Sequence, residues 1–247
     1  MKIVSVYNNK GGVGKTASAV NLAYMSSLDG YNTLIWDLDC QAATTFYFRL
    51  HPKIKGGAKK LISGKRDILD NIKGTDYPLL DILPSDDTMR HQDLLFDNTP
   101  KPYKRIKKLL SPLENDYDYI FIDCAPSMSL TSQSIFCGSD LLLVPTIPTT
   151  LSLLTLDKLH LFFKEHGLST SRIKAFFSMV DIRRQLHKEI TNHPPKKFSF
   201  AHTYIPYMSE IEKMGLDKQP ACVTKGRARQ CYQALWDELK TTILKLE

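Results

Sequence analysis

The chain has 247 residues, of which 43% are hydrophobic and 24% are charged. These proportions are those of an ordinary folded protein and exclude a disordered, collagen-like or coiled-coil chain. The 33 basic and 26 acidic side chains give a formal net charge of +7, which permits binding to a polyanion such as nucleic acid without requiring it. The sequence has no apolar run near the roughly 20 residues of a membrane helix. Its five cysteines are too scattered for a disulfide framework or a common zinc pattern, so we expect a protein of the reducing cytoplasm.

Apolar, β-rich runs alternate along the chain with segments of helical length. The predicted strands are residues 2–7, 32–38, 79–83, 118–123, 141–146 and 175–180. The predicted helices are residues 15–29, 102–111, 128–137, 153–166 and 226–246. Because the strands are continuous apolar runs, they are expected to be buried on both faces. The pattern predicts an α/β fold with a mostly parallel, doubly wound sheet and helices on both faces.

Two stretches, 51–78 and 192–203, are irregular and contain glycine, proline and lysine clusters. We interpret both as surface excursions. Neither resembles a linker that would separate two domains, so residues 1–247 are expected to form a single domain.

The segment KGGVGKT, residues 10–16, follows a predicted strand and opens a predicted helix, which is the context of a phosphate-binding P-loop. Its glycines let backbone N–H groups turn toward phosphate oxygens, and the helix N-terminus adds its dipole. Lys15 supplies a charge for the β- and γ-phosphates of ATP, and the Thr16 hydroxyl is placed to bind Mg²⁺. The usual first glycine is replaced by Asn9, and the loop has a second lysine, Lys10. The loop residues predicted to contact nucleotide are Lys10, Gly11, Gly12, Val13, Gly14, Lys15, Thr16 and Ala17.

Acidic residues follow two of the predicted strands. Asp123 ends the apolar strand 118–123, at the sheet edge where ligands of open α/β sheets bind, and we assign it to Mg²⁺. A helix cap is its less favoured alternative. Asp37 and Asp39 lie at the end of strand 32–38. For Asp37 a Mg²⁺-shell role and a capping or hydrogen-bonding role remain equally open.

Four segments together resemble the ParA/MinD family of P-loop ATPases. KGGVGKT resembles its deviant Walker A motif, and residues 37–42, DLDCQA, resemble its DxDPQG block, with Cys40 for proline and Ala42 for glycine. Residues 121–127, FIDCAPS, resemble its Walker B block, and residues 205–207, IPY, stand where ParA proteins have an Ile-Pro segment near the base. The resemblance covers nearly the whole chain. It is closest to short ParA proteins without an N-terminal DNA-binding extension, because the P-loop begins at residue 10.

The resemblance implies roles for individual residues. Asp39 would position or activate the attacking water, with Asp37 supporting it. Lys10 would reach across the interface of an ATP-sandwich homodimer to the partner's phosphates, so that Lys10, Lys15 and Asp39 are the predicted catalytic residues. Met179 and Asp181 resemble the segment that closes over adenine, to which we add Pro206. A helix cap is an equal alternative for Asp181.

Positive charge is concentrated between residues 183 and 229, a stretch that contains ten basic and four acidic residues. ParA proteins bind double-stranded DNA non-specifically through basic residues of the C-terminal third, by phosphate contacts without base readout. Lys225, Arg227 and Arg229 are the predicted DNA-binding residues. A second basic run, residues 101–108, is interpreted as a solvated helix face.

The resemblance makes an ATP-dependent partitioning or positioning ATPase the leading functional prediction. Its ATP-bound dimer would coat the nucleoid, and a cargo-bound ParB-like activator would stimulate hydrolysis during DNA or plasmid segregation. A MinD-type membrane-positioning ATPase is the alternative, but the tail 235–247 has balanced charge and favours a packed helix, so no membrane partner is expected. A relative of nitrogenase iron protein is a third class. Cys124 and Cys137 lack the glycine-rich contexts which that class uses.

Overall fold

A computed structural model describes residues 1–245 of the chain. Within them the strands form one seven-stranded sheet in the order β3-β4-β2-β5-β1-β6-β7. The short edge strand β3 is antiparallel to β4, and the other neighbours are parallel. The strands are β1 (Lys2–Val6), β2 (Thr33–Asp37), β3 (Lys73–Gly74), β4 (Leu80–Leu83), β5 (Tyr119–Asp123), β6 (Leu141–Thr146) and β7 (Ile173–Phe177).

Helices cover both faces of the sheet. They are α1 (Lys15–Leu28), α2 (Ala43–Tyr47), α3 (Gly57–Ser63), α4 (Gln92–Asp97), α5 (Arg105–Leu110), α6 (Leu130–Gly138), α7 (Thr150–Glu165), α8 (Gln185–Asn192), α9 (Ser209–Glu212), α10 (Met214–Asp217) and α11 (Arg227–Leu244). Alternate residues of β5 point to opposite faces: Ile120 and Ile122 pack under α3 to α7, whereas Phe121 packs under α1 and α11. The predicted fold class is therefore confirmed.

Three predicted segments differ from the structure. The strand predicted at 175–180 ends at Phe177, because Met179 takes a left-handed backbone conformation (φ 54°) that carries the chain out of the ladder. The prediction that 51–78 is a surface excursion is wrong for α3, whose Ala58, Leu61 and Ile62 are fully buried in the core. Their spacing is that of one helical face.

The stretch 192–203 is also partly internal. Phe200 forms a parallel bridge with Ala175 of β7, and Phe198 and Ala201 are buried. The polar residues around them concealed these apolar positions from the sequence pattern.

The last described helix, α11, packs on α1 through its apolar face. The predicted end of this helix at residue 246 lies outside the described residues. The side chains of that face are all at most 1% exposed; they are Tyr232, Leu235, Trp236, Leu239 and Ile243. None of the helices within residues 1–245 is both long enough and apolar enough to cross a membrane.

Candidate nucleotide-binding site

The loop after β1 is tied to the sheet by a buried asparagine. The Asn8 side-chain amide donates to the Pro145 carbonyl at 2.8 Å, and its oxygen accepts from the Lys10 backbone N–H at 2.9 Å. On the far side of the loop, the Ser178 hydroxyl donates to the Val13 carbonyl at 2.8 Å. These contacts hold the loop at the carboxyl edge of the parallel strands, where such sheets bind ligands.

Two glycines give the loop its shape. Gly12 and Gly14 have φ values of 69° and 88°, in the left-handed region that other residues adopt at a cost. Gly14 precedes α1 and has no side chain to cap it, so the first amides of α1 stay open to a ligand. An uncapped helix N-terminus of this kind is suited to phosphate oxygens.

Lys15 is buried at the centre of the loop, with 8% of its surface exposed. Its Nζ donates to the Lys10 carbonyl at 2.9 Å. Burial lowers the pKa of Lys15, and the nearby Asp123 carboxylate opposes this effect. The Lys10 side chain is half-buried, and no carboxylate within residues 1–245 forms an ion pair with it.

Asp123 is buried beside the loop and lies opposite Asp37 in the β2–β5 register. Its Oδ2 accepts from the Thr44 hydroxyl at 2.8 Å. Its Oδ1 is buried and has no hydrogen-bond partner among the described residues. Burial raises the pKa of Asp123, while the hydrogen bond from Thr44 and the nearby Thr16 hydroxyl lower it. A buried oxygen without a donor is open to a cation.

Asp37 is equally buried but fully hydrogen-bonded. Its Oδ2 accepts from the backbone N–H and the hydroxyl of Thr45 at 2.9 and 2.7 Å. Its Oδ1 accepts from the Asp39 N–H at 3.2 Å. Burial raises the pKa of Asp37, and the neighbouring Asp123 adds to the rise. The contacts of Asp37 hold the segment that follows β2.

Asp39 is half-buried at the start of that segment, and its Oδ1 accepts from the Gln41 N–H at 3.0 Å. The next turn passes through Ala42, whose φ of 51° is left-handed. The glycine that the ParA/MinD block has at this position would adopt such a conformation without strain. Ala42 therefore carries strain within the segment that presents Asp39.

An apolar cavity of about 210 Å³ opens beside the P-loop. The segment around Pro206 lies parallel to Val180, and it brings Met179 and Pro206 together at the cavity wall. Gly12, Gly14 and Ala17 of the loop and of α1 form the opposite wall. Its size and its apolar walls fit a flat heterocycle better than a charged group.

Asp181 does not line this cavity. Its carboxylate instead accepts from the Arg183 guanidinium at 2.9 and 3.0 Å. Lys225 lies just before α11, and Arg227 and Arg229 lie in its first turn; none of the three lines this cavity. Lys225 and Arg227 are exposed, and Arg229 is half-buried. Glu210 caps α11 here by accepting from the Ala228 N–H at 2.7 Å, which places an acid beside these cations.

Several residues that contact this site were missed from the sequence. Thr44 and Thr45 follow the DLDCQA block after one residue, and a hydroxyl pair next to buried carboxylates is a signal that could have identified them. Ser178 has no such signal, because its contact with Val13 depends on the turn after β7. Ile205 and Tyr207 of the predicted IPY segment also line the cavity. The further missed residues of the cavity wall are Ser18, Met208, Ile211, Glu212 and Tyr232.

Comparison with known proteins agrees with this geometry. Residues 1–173 match a family model described as an AAA domain. The sporulation initiation inhibitor protein Soj of Bacillus subtilis is 30% identical over 145 residues, which are 58% of this chain and 57% of that protein. The chain thus spans little more than half the length of the first curated relatives it matches. A ParA family protein of Chlamydia muridarum is 28% identical over 250 residues, 97% of each chain.

A solved structure shows the same fold. A putative plasmid partition protein from Borrelia burgdorferi bound to AMPPNP superposes with a TM-score of 0.82, over 99% of this chain and 98% of that one, at 24% identity. The structural similarity shows the fold, and the family follows from the match over residues 1–173 together with the similarity to Soj and to the ParA family protein. The chain belongs to the ParA family of P-loop ATPases.

Proposed function

We propose that this protein is an ATP-dependent partitioning ATPase that binds and hydrolyses Mg²⁺–ATP. One combination of features carries the proposal: the charged end of Lys15, the unpartnered Oδ1 of the nearby Asp123, the uncapped N-terminus of α1 and an apolar cavity beside it. The lysine, the carboxylate oxygen and the helix N-terminus suit a phosphate chain with its metal ion, and the apolar cavity suits an adenine base. Lys10 and Asp39 then serve the transfer step.

The residues present fit a magnesium ion. Mg²⁺ is usually held by one or two protein oxygens together with substrate phosphates and water. Asp123 offers its unpartnered Oδ1, and the Thr16 hydroxyl faces the same carboxylate. Asp37 is better suited to a positioning role, since its oxygens already accept from Thr45 and Asp39. The bound metal would neutralise charge on the β- and γ-phosphates.

Lys15 has a simple task in this scheme. When ATP binds, the Lys15 Nζ donates to phosphate oxygens in place of the Lys10 carbonyl. The buried ammonium thereby gains a negatively charged partner. Asp39 orients the attacking water, because its backbone is fixed to Asp37 while its side chain remains half-exposed. Positioning of this kind supplies most of the catalysis in phosphoryl transfer.

Lys10 acts on the partner's nucleotide. It is partly exposed at the loop, and no carboxylate within residues 1–245 holds it by an ion pair. A lysine that reaches across a homodimer interface would neutralise the negative charge that develops on the phosphates during phosphoryl transfer. ATP binding and dimerisation would thereby be coupled.

The ATP-bound dimer is proposed to bind double-stranded DNA through Lys225, Arg227 and Arg229, and so to associate with the nucleoid. Lys225 and Arg227 are exposed, as phosphate contacts require. A cargo-bound ParB-like activator would stimulate hydrolysis and release the dimer from DNA. Relatives named for chromosome and plasmid partition support this choice of cargo class.

Retention on non-specific duplex DNA, measured with ATP, ADP or no nucleotide over a salt series, tests the proposal. We expect binding with ATP alone and a steep loss with rising salt. Arg227→Ala combined with Arg229→Ala should reduce the logarithmic salt slope by roughly one for each lost phosphate contact. The matched control is Lys158→Ala with Lys164→Ala, two exposed cations of α7. The proposal would be contradicted if the protein failed to bind DNA under all three nucleotide conditions. An equal loss of DNA binding in the control variant would also contradict it.

A further inference from the structure

A buried arginine on α5 has no acidic partner among the residues that the structure describes. Arg105 is 6% exposed, and its Nε donates to the Ile62 carbonyl at the end of α3. No carboxylate within residues 1–245 forms an ion pair with its guanidinium, and burial alone lowers the pKa of Arg105. A guanidinium has five N–H donors, and only one of them donates to an acceptor within residues 1–245. In this part of the chain the guanidinium charge therefore has no anionic partner.

The guanidinium borders two cavities. The larger has a volume of about 830 Å³, and every charged side chain on its wall is basic. The smaller, of about 370 Å³, shares Arg105 and Lys108 with the larger one and adds Arg66 and Asp67. The basic residues of the larger cavity are Lys101, Lys104, Arg105, Lys107 and Lys108. This concentration of positive charge around a concave space suits an anion.

Capping of α3 does not by itself explain Arg105. The carbonyl end of a helix has at most about half a negative charge, which leaves most of the guanidinium charge uncompensated. Gly64, with φ 69°, makes room for the side chain: a Cβ there would stand 2.6 Å from the Arg105 Nη2. The backbone thus accommodates a buried cation whose terminal nitrogens find no acceptor among the described residues.

We propose that the larger cavity, which we call the α5–α6 cavity after Arg105 and Cys137 on its wall, binds a phosphate group of a small polyanion at Arg105. The planar guanidinium is matched to two phosphate oxygens, and the surrounding lysines would neutralise a second phosphate. A terminal phosphate can enter a concave site to reach a buried arginine, whereas duplex phosphates remain at the surface. The site is separate from the P-loop, because α5 packs on the opposite face of the sheet from α1 and α11.

Calorimetric titration of pyrophosphate into the full chain carrying Lys15→Ala tests this site, in low-salt buffer without divalent metal. The Lys15 substitution is chosen to remove phosphate binding at the P-loop, so the remaining binding reports the α5–α6 cavity. We expect one binding event per chain. Adding Lys101→Gln and Lys104→Gln should weaken it by roughly threefold to tenfold, since both lysines are exposed and act through charge.

The matched control adds Lys158→Gln and Lys164→Gln to the same background, with the same charge change on α7. We expect its affinity to stay within about twofold of the background, because neither lysine lines the cavity. Arg105→Gln should remove pyrophosphate binding. If this variant does not fold, the comparison between the cavity lysine pair and the α7 control pair still tests the proposal. No pyrophosphate binding, equal weakening in both lysine pairs, or binding of short duplex DNA in place of pyrophosphate would overturn the proposal.

Discussion

Two carboxylates, Asp37 and Asp123, stand side by side at the ends of β2 and β5 and differ in their hydrogen bonding. They are paired in register, fully buried, and both have raised pKa values because of burial. Asp37 accepts from two groups of Thr45 and from the Asp39 N–H, whereas Asp123 accepts from Thr44 and keeps Oδ1 unpartnered. The two carboxylates are equally buried, but Asp37 holds the local structure at the end of β2, whereas Asp123 at the end of β5 keeps one oxygen available to a ligand.

The largest expected effect is on hydrolysis. Asp123→Asn should reduce Mg²⁺-dependent ATP turnover by roughly 10²–10³-fold, the usual loss when one group that stabilises transition-state charge is removed. Steady-state phosphate release, with DNA present, measures it. Asp97→Asn, an exposed carboxylate of α4, is the control and should be unchanged. An Asp123→Asn enzyme with half of the normal rate would remove Asp123 from the metal site.

The next effect is on stability. Asp37→Ala leaves the Thr45 and Asp39 donors without their acceptor, and each buried orphan costs about 1–3 kcal/mol. We expect the free energy of unfolding to fall by about 3 kcal/mol in urea titrations without nucleotide. A loss below about 0.5 kcal/mol would mean that Asp37 does not hold the segment after β2.

Asp123→Asn should act in the opposite direction on stability. Because burial raises the pKa of Asp123, its carboxyl stabilises the fold below the unfolded pKa near 3.9 and loses that contribution as pH rises through the raised folded pKa. Neutral asparagine avoids this loss. We expect a gain of about 1 kcal/mol without ligand, roughly 2–4 °C in Tm near pH 8, that shrinks on acidification. Equal Tm values at high pH would contradict the comparison.

The smallest effect concerns the strained turn beside Asp39. Ala42→Gly should raise the free energy of unfolding by about 1 kcal/mol, because glycine adopts the left-handed conformation without the cost that alanine meets. Ala43→Gly, one residue later at the start of α2, is the matched control and should lower it by about 0.5–1 kcal/mol. Changes of the same sign in both variants would argue against strain at Ala42.

Much of the site could be predicted because its signals are local. The P-loop needs glycines, a lysine and a threonine in sequence, and Asp123 ends an apolar strand. The fold class followed in the same way from continuous apolar runs separated by helical segments. The resemblance matched Met179, Asp181 and Pro206 to segments near an adenine base. Met179 and Pro206 line the apolar cavity beside the P-loop, whereas Asp181 does not.

The missed features depend on contacts between distant segments. The difference between Asp37 and Asp123 arises from the β2–β5 register and from which threonine faces which carboxylate. The buried face of α3 was concealed by its lysines and glycines. Arg105 lay within a run interpreted as a solvated helix face, and only packing against α3 reveals that its side chain is buried.

Light-scattering mass of the chain carrying Asp39→Ala, with Mg²⁺–ATP and with ADP, tests most directly whether a second copy completes this site. The substitution should block hydrolysis and keep the ATP-bound state long enough to measure. We predict twice the mass of one chain with ATP, the mass of one chain with ADP, and loss of the dimer when Lys10→Ala is added. A single-chain mass with saturating ATP, or a dimer that does not depend on Lys10, would contradict a nucleotide site shared across two chains.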